Sequence, residues 1–153
     1  MNVNIIGAVG GILAFVSIVL PWWTFSVLGL SMDVYLFQVT APSGITVTMD
    51  LWFGWMALFF VAIGGLVGIA GSVIKGGKNM LLGCGVLGLL AIVVFAWGMQ
   101  TRLPSAPGVG IGLMSSGPGY STYLSYGFWL ALASAVLSLA GYFRHPKELE
   151  PSA

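Results

Sequence analysis

Apolar residues run along this chain in four long blocks, at about residues 4–20, 51–74, 80–99 and 123–143, with no break in which a charged side chain appears. All ten Lys, Arg, Asp, Glu and His residues lie outside the cores of these blocks. In a bilayer no water satisfies the backbone, so a stretch of about 20 apolar residues closes its own N–H and C=O groups as a spanning helix. The pattern predicts an all-α membrane protein: an antiparallel four-helix transmembrane bundle forming one domain over residues 1–153. Pro21 strips helical geometry from Leu20, so the first helix should end there.

The connections read differently from one another. Between blocks one and two, at about 22–50, residues 28–40 and 45–50 are rich in β-branched and aromatic types, and Ala41-Pro42-Ser43-Gly44 places Pro and Gly where a type I turn takes them. This predicts a small extracellular β-hairpin between helices one and two, with Ile45, Val47 and Met49 on one face and Thr46, Thr48 and Asp50 on the other. A lone hairpin is marginal in water, so its apolar face should rest on the bundle, the other loop or a partner. The second long connection, at about 100–122, is rich in Gly, Pro and Ser and predicts irregular, mobile chain, with Val109, Ile111, Leu113 and Met114 dipping to a surface. Its glycines do not form a phosphate cradle, since no Lys-Ser/Thr pair follows and no strand precedes them.

Composition agrees with a lipid solvent. Hydrophobic residues make up 58% and charged residues 6%, against about 25% charged in a typical soluble domain. A formal net charge of +1 supplies no basic field for nucleic acid. Cys84 is the only cysteine, which excludes an intramolecular disulfide and a cysteine-rich metal site, and its apolar setting between Gly83 and Gly85 makes it an inert packing residue. The first block lacks the basic flank and small-residue end of a signal peptide and should be retained.

Lys75 and Lys78 lie in the short turn between blocks two and three, and Arg144 and Lys147 follow block four. Basic residues favour the cytoplasmic side, so both termini should be cytoplasmic in the plasma membrane and both long loops outside. Trp22, Trp23, Trp52, Trp55, Trp97 and Trp129, with Tyr120, Tyr123 and Tyr126, then all mark the outer boundary. Amphipathic rings prefer that layer, and the same tryptophans are candidates for an outward-facing pocket or interface. Within the blocks, Gly7 with Gly11, Gly64 with Gly68, Gly85 with Gly88, and Ala131 with Ala135 supply small-residue stripes on which helices can approach closely. Ser125, Ser134 and Ser138 can bond back to their own helix.

This arrangement of inner termini, a large β-rich first outer loop, a short inner turn and a second outer loop resembles the claudin-like four-span families. Trp22 or Trp23 stands where claudins carry an early first-loop tryptophan, and Asp50-Leu51-Trp52 echoes their Gly-Leu-Trp run; their two loop cysteines have no counterpart here. Leu20-Pro21-Trp22-Trp23 is also similar to the end of the first span in small prokaryotic four-span proteins. What the claudin resemblance implies is an extracellular strand assembly on a bundle and, for claudins themselves, a paracellular barrier. Disulfide-generating quinone enzymes, small multidrug exporters and tetraspanins fit less well, because each needs paired cysteines, a buried glutamate or a cysteine-rich loop.

Asp33, Asp50, Arg102 and His145 are the only polar groups an enzyme could draw on, and they form no acid–base pair or metal-ligand spacing. No helix carries a polar stripe wide enough to line a pore. The expectation is a non-catalytic membrane scaffold or accessory subunit, without cofactor, that contacts membrane lipids and either a protein partner or further copies of itself. The alternative is a binder or carrier of lipid or of an apolar, quinone-like molecule in the outer aromatic pocket.

Overall fold

Asn4 begins the first helix and fastens it to two others. Its side-chain carbonyl accepts the Gly7 N–H at 3.1 Å, filling one of the donors that a helix N-terminus leaves open. Its side-chain amide donates to the Gly141 carbonyl at 2.8 Å and its backbone N–H to the Ser72 carbonyl at 2.9 Å. The helix so capped is α1 (Ile5–Ile18). Ser72 lies near the end of α2 (Trp52–Val73) and Gly141 near the end of α4 (Tyr126–Phe143). The computed structural model describes residues 3–48, 51–102, 105–106, 109–110 and 112–144, and α3 (Lys78–Arg102) completes the helices among them. α1 and α3 each pack on both α2 and α4, while the diagonal pairs barely meet. Neighbours run antiparallel: Gly71 late in α2 faces Met80 early in α3, and Gly98 late in α3 lies beneath Phe53 early in α2.

Burial on these helices is the inverse of a water-soluble bundle. α1 buries Gly7, Gly10, Gly11, Ala14 and Ser17, and exposes Ile5, Val9, Ile12 and Val16. α2 likewise buries Gly54, Ala57, Gly64, Gly65, Gly68 and Gly71 while Trp52, Trp55, Met56, Phe59 and Leu66 face outward. Soluble monomers rarely present apolar surface on this scale; lipid supplies a solvent for it, and small interior residues let backbones approach. α2, α3 and α4 are long and apolar enough to cross a membrane, and α1 is apolar but shorter at 14 residues. It stops two residues before Leu20, as Pro21 requires.

The all-α expectation with a small hairpin needs correction. Six strands form one antiparallel sheet at the end of the bundle where the two long connections lie: β1 (Trp23–Val27), β2 (Leu30–Val34), β3 (Val39–Thr40), β4 (Thr46–Val47), β7 (Ser115–Gly117) and β8 (Tyr120–Leu124), in the order β4-β3-β2-β1-β8-β7. β5 (Ser105–Ala106) and β6 (Val109–Gly110) pair separately. The expected turn exists: Gly44 N–H bonds the Ala41 carbonyl, Ala41 N–H bonds that of Ile45, and Gly44 takes φ +76°, a type I turn closed by a left-handed residue. Its arms, however, are the short edge strands β3 and β4. The centre of the sheet is β1 between β2 and β8, with Trp23 opposite both Val34 and Leu124.

Two further expectations change with it. The second connection is not irregular throughout, since it contributes β5, β6, β7 and β8. Tyr123 and Leu124, read as the opening of span four, are strand, and the helix starts at Tyr126. Pairing with β1 holds them extended: the Ser125 N–H bonds the Trp22 carbonyl and the Gly127 N–H that of Pro21. Sheet and bundle share one core, in which Trp23, Val34, Leu36 and Val39 join Ala14, Ala57, Val61, Ala91 and Phe95.

Candidate functional site

The six tryptophans do not meet in one pocket. Trp22 follows Pro21 at the corner between α1 and β1, and the corner turns its ring into the bundle, where it is completely buried. Its indole N–H donates to the Ser17 carbonyl at 2.9 Å, and its ring meets Phe95 and Phe128 edge-on at 5.0 and 6.0 Å. Phe53 adds a third edge-on ring at 5.8 Å from Phe95. These four rings plug the sheet end of the bundle, so Trp22 is a core residue and no part of an exposed belt. Trp23 is nearly as buried, stacks on Phe25 and donates to the Leu113 carbonyl at 3.0 Å. Trp52 and Trp97 pair edge-on at 6.3 Å across α2 and α3 and, like Trp55, stay substantially exposed. Trp129 stands half-exposed at the start of α4, its N–H on the Leu124 carbonyl at 3.2 Å.

The small residues lie along the helix seams. Gly7 faces Leu81, Gly11 faces Ile69 and Gly65, and Gly68 faces the Cys84 side chain. Gly85 faces Leu139 and the Ala135 carbonyl, Gly88 faces the Ala135 methyl, and Ala131 is buried in the shared core. Gly64 is looser, with Leu87 and Cys84 at ordinary contact distance. Sequence reading missed Gly10, Gly54, Gly98 and Gly127, whose neighbours are as close. It also misassigned the serines of block four. Ser134 donates across to the Gly10 carbonyl of α1 at 2.7 Å, and Ser138 shares a hydrogen bond with Cys84 at 3.1 Å; hydroxyls that do bond back to their own helix are those of Ser17, Ser72 and Thr101.

The elaborated surface is the far tip of the sheet. Leu28-Gly29 joins β1 to β2 in two residues, both with positive φ, +50° and +82°. That twist suits a tight hairpin, but it is normally carried by Asn-Gly. Beside it Pro118-Gly119 joins β7 to β8, and the Leu28 N–H donates to the Gly119 carbonyl at 2.9 Å. The two turns frame an open cleft of about 300 Å³ floored by Ser26, Tyr120 and Ser121. Leu28 is 84% exposed and Leu30 63%, so the tip presents large apolar side chains.

The chain matches no protein-family model and no curated protein. Its function must therefore be read from its own geometry.

Among the candidate polar groups, Asp33 is half-buried on β2 and accepts the Thr24 hydroxyl at 2.7 Å, and Arg102 is exposed at the end of α3. Asp50 and His145 lie outside the described residues. Among the described residues no three His, Cys, Asp or Glu side chains gather as metal ligands would. Thr122 acts as a local clasp, donating to the Gly112 carbonyl at 2.8 Å and accepting the Ser115 N–H at 2.9 Å, which fixes the turn carrying Leu113 and Met114 against β8.

Leu28 gives a direct test of strain. A non-glycine residue in left-handed geometry costs about 1–2 kcal/mol, less for Asn. Leu28→Asn should therefore raise stability by about 1 kcal/mol, since the exposed leucine loses no packing. Unfolding in detergent micelles reads this, and an unchanged midpoint would show that the turn is not left-handed in solution.

Proposed function

We propose that this chain is a non-catalytic integral membrane scaffold or accessory subunit whose bundle spans the bilayer and holds the sheet on the non-cytoplasmic face, where the tip docks a protein partner or another copy of the chain. The observation that supports it most is Leu28, a large apolar side chain held at φ +50° and 84% exposed. Backbone strain persists where function requires it, and a strained apolar residue offered to solvent suits a contact point. The shared core of sheet and bundle fixes the sheet on the end of the bundle, which supports a tip held at a set place.

The orientation rests on charge. Lys75, Lys78 and Arg144 lie at the end of the bundle opposite the sheet, where Lys78 Nζ also sits 4.6 Å from the Tyr142 ring centre. Basic residues favour the cytoplasmic side, which supports an arrangement with both termini inside and the sheet outside, in the claudin-like manner. The alternative of a lipid or quinone carrier is given no common aromatic pocket, since the tryptophans are dispersed.

A photo-cross-linking residue replacing Leu28 should yield a discrete adduct larger than the monomer in native membranes, while the same residue at Lys75 should not give that adduct. Adding Leu30→Asp should reduce the yield about tenfold, as removing a neighbouring apolar anchor worth somewhat over 1 kcal/mol would. Monomer alone at position 28 would defeat the proposal.

A further inference from the structure

The four helices do not reach equally far. At 1.5 Å per residue, α2 and α3 with 22 and 25 residues extend ~33 and ~37 Å, α4 with 18 extends ~27 Å, and α1 with 14 extends only ~21 Å. A hydrocarbon layer is ~30 Å thick, so the adjacent pair α1 and α4 falls short where α2 and α3 do not. At the end away from the sheet the helices are level: Asn4 bonds both Ser72 and Gly141, and Lys78 meets Tyr142. The shortfall therefore lies at the sheet end. There β1 continues α1 and β8 leads into α4, so on this side the leaflet meets strand rather than helix. The β1–β8 ladder satisfies the backbone, which hydrocarbon demands of anything placed in it.

At this level a notch of about 200 Å³ opens between β8 and the first turn of α4, lined by Tyr123, Leu124, Ser125, Tyr126 and Trp129. Ser125 is 6% exposed, and its hydroxyl does not cap α4. No enclosed side-chain oxygen or nitrogen among the described residues lacks a partner, so the Ser125 hydroxyl is open to the notch, where it can donate to an acceptor from outside the chain. Trp129 offers only its apolar face, because its N–H is committed to Leu124. None of the five lining side chains is charged, so the site favours a neutral acceptor over a phosphate. Its volume is below the roughly 300–1,000 Å³ that encloses a whole small ligand, which suits one segment of a molecule whose remainder stays in the leaflet.

The geometry points to a bound glycerophospholipid: an ester carbonyl accepts the Ser125 hydroxyl, the first methylenes lie on Leu124 and Trp129, and Tyr123 and Tyr126 flank the entrance at headgroup level. The lipid fills the sector that the short helices leave open. This rests on the bundle crossing a bilayer and not on the docking tip, so loss of the Leu28 adduct leaves it untouched.

The test uses the full chain reconstituted with a diester phosphatidylcholine or the diether lipid of the same chains, then exchanged into detergent and weighed by native mass spectrometry. The wild-type chain should keep one diester lipid, with about fivefold greater occupancy than the diether lipid, as expected for one neutral hydrogen bond. Ser125→Ala should bring the diester lipid down to the diether level and leave the diether lipid unchanged. Tyr126→Ala, at a position 76% exposed, should lower both. Equal retention of the two lipids by the wild-type chain, or a diester preference that survives Ser125→Ala, would overturn the site. Should Ser125→Ala not fold, the wild-type comparison alone decides.

Discussion

Trp22→Ala should destabilise the protein by about 3–5 kcal/mol, the range for deleting a fully buried large aromatic side chain. Three terms act together. The ring has no exposed surface, so its removal leaves a cavity that the neighbouring helices can only partly close. Its edge-on contacts with Phe95 and Phe128 disappear, each such pair contributing about 0.5–1.5 kcal/mol beyond area. The Ser17 carbonyl also loses its indole donor in a place water does not reach. Trp22→Phe keeps an aromatic ring but drops the N–H and part of the indole's volume, so it combines the lost hydrogen bond with a smaller cavity and should cost about 1–3 kcal/mol. Trp55→Ala is the control: its ring is half-exposed on α2, and as an interfacial anchor it should cost less than either. Reversible unfolding in mixed micelles, followed by helix signal, ranks the three. If Trp22→Ala proved as mild as Trp55→Ala, the ring would be an interfacial anchor and the closed aromatic plug would be wrong.

That contrast also shows where sequence reasoning runs out. The apolar helices were legible because each carries its own run of apolar residues, and three of them, α2, α3 and α4, have the length and composition that crossing a membrane asks for. The turn at residues 41–44 was legible because Pro42 and Gly44 act locally. The centre of the sheet was not. Trp23 pairs with Leu124 about a hundred positions away, and such pairing leaves no period in either segment. Each segment also carried a competing signal: Trp22-Trp23 matched an interfacial belt, and Tyr123-Leu124 matched the opening of an apolar span. A five-residue run such as Trp-Thr-Phe-Ser-Val has strand propensity, and only its place beside another aromatic boundary disguised it. Leu28 was hidden because the turn it forms with Gly29 lacks the Asn that usually marks this geometry. Ser125 was hidden by its neighbours Ser134 and Ser138. All three fall in one block, yet the last two find partners on other helices while Ser125, one residue ahead of α4, does not cap that helix.

The other large effect is expected at a glycine whose role no stripe announces. Gly54 lies in the first turn of α2, and a Cβ there would run into the Leu36 carbonyl oxygen. The obstacle is backbone, at a corner between β2 and β3 that is itself pinned, with Tyr35 N–H on the Gln38 carbonyl at 2.8 Å and Val34, Leu36 and Val39 all buried. Gly54→Ala therefore forces either the helix start or the sheet root to shift, and should cost about 2–3 kcal/mol, at the upper end for overpacking. Gly83→Ala makes the comparison sharp. Its Cβ would meet only a Val67 methyl at 3.9 Å, so relief of glycine's helix penalty should raise stability by up to about 1 kcal/mol. The two changes add the same methyl to helices of the same bundle, and their opposite signs measure whether the sheet is seated on α2. Equal, small effects would mean that the Leu36 corner does not rest there. The tip would then move independently of the membrane domain, and a docking surface held at a set height above the bilayer would lose its physical basis.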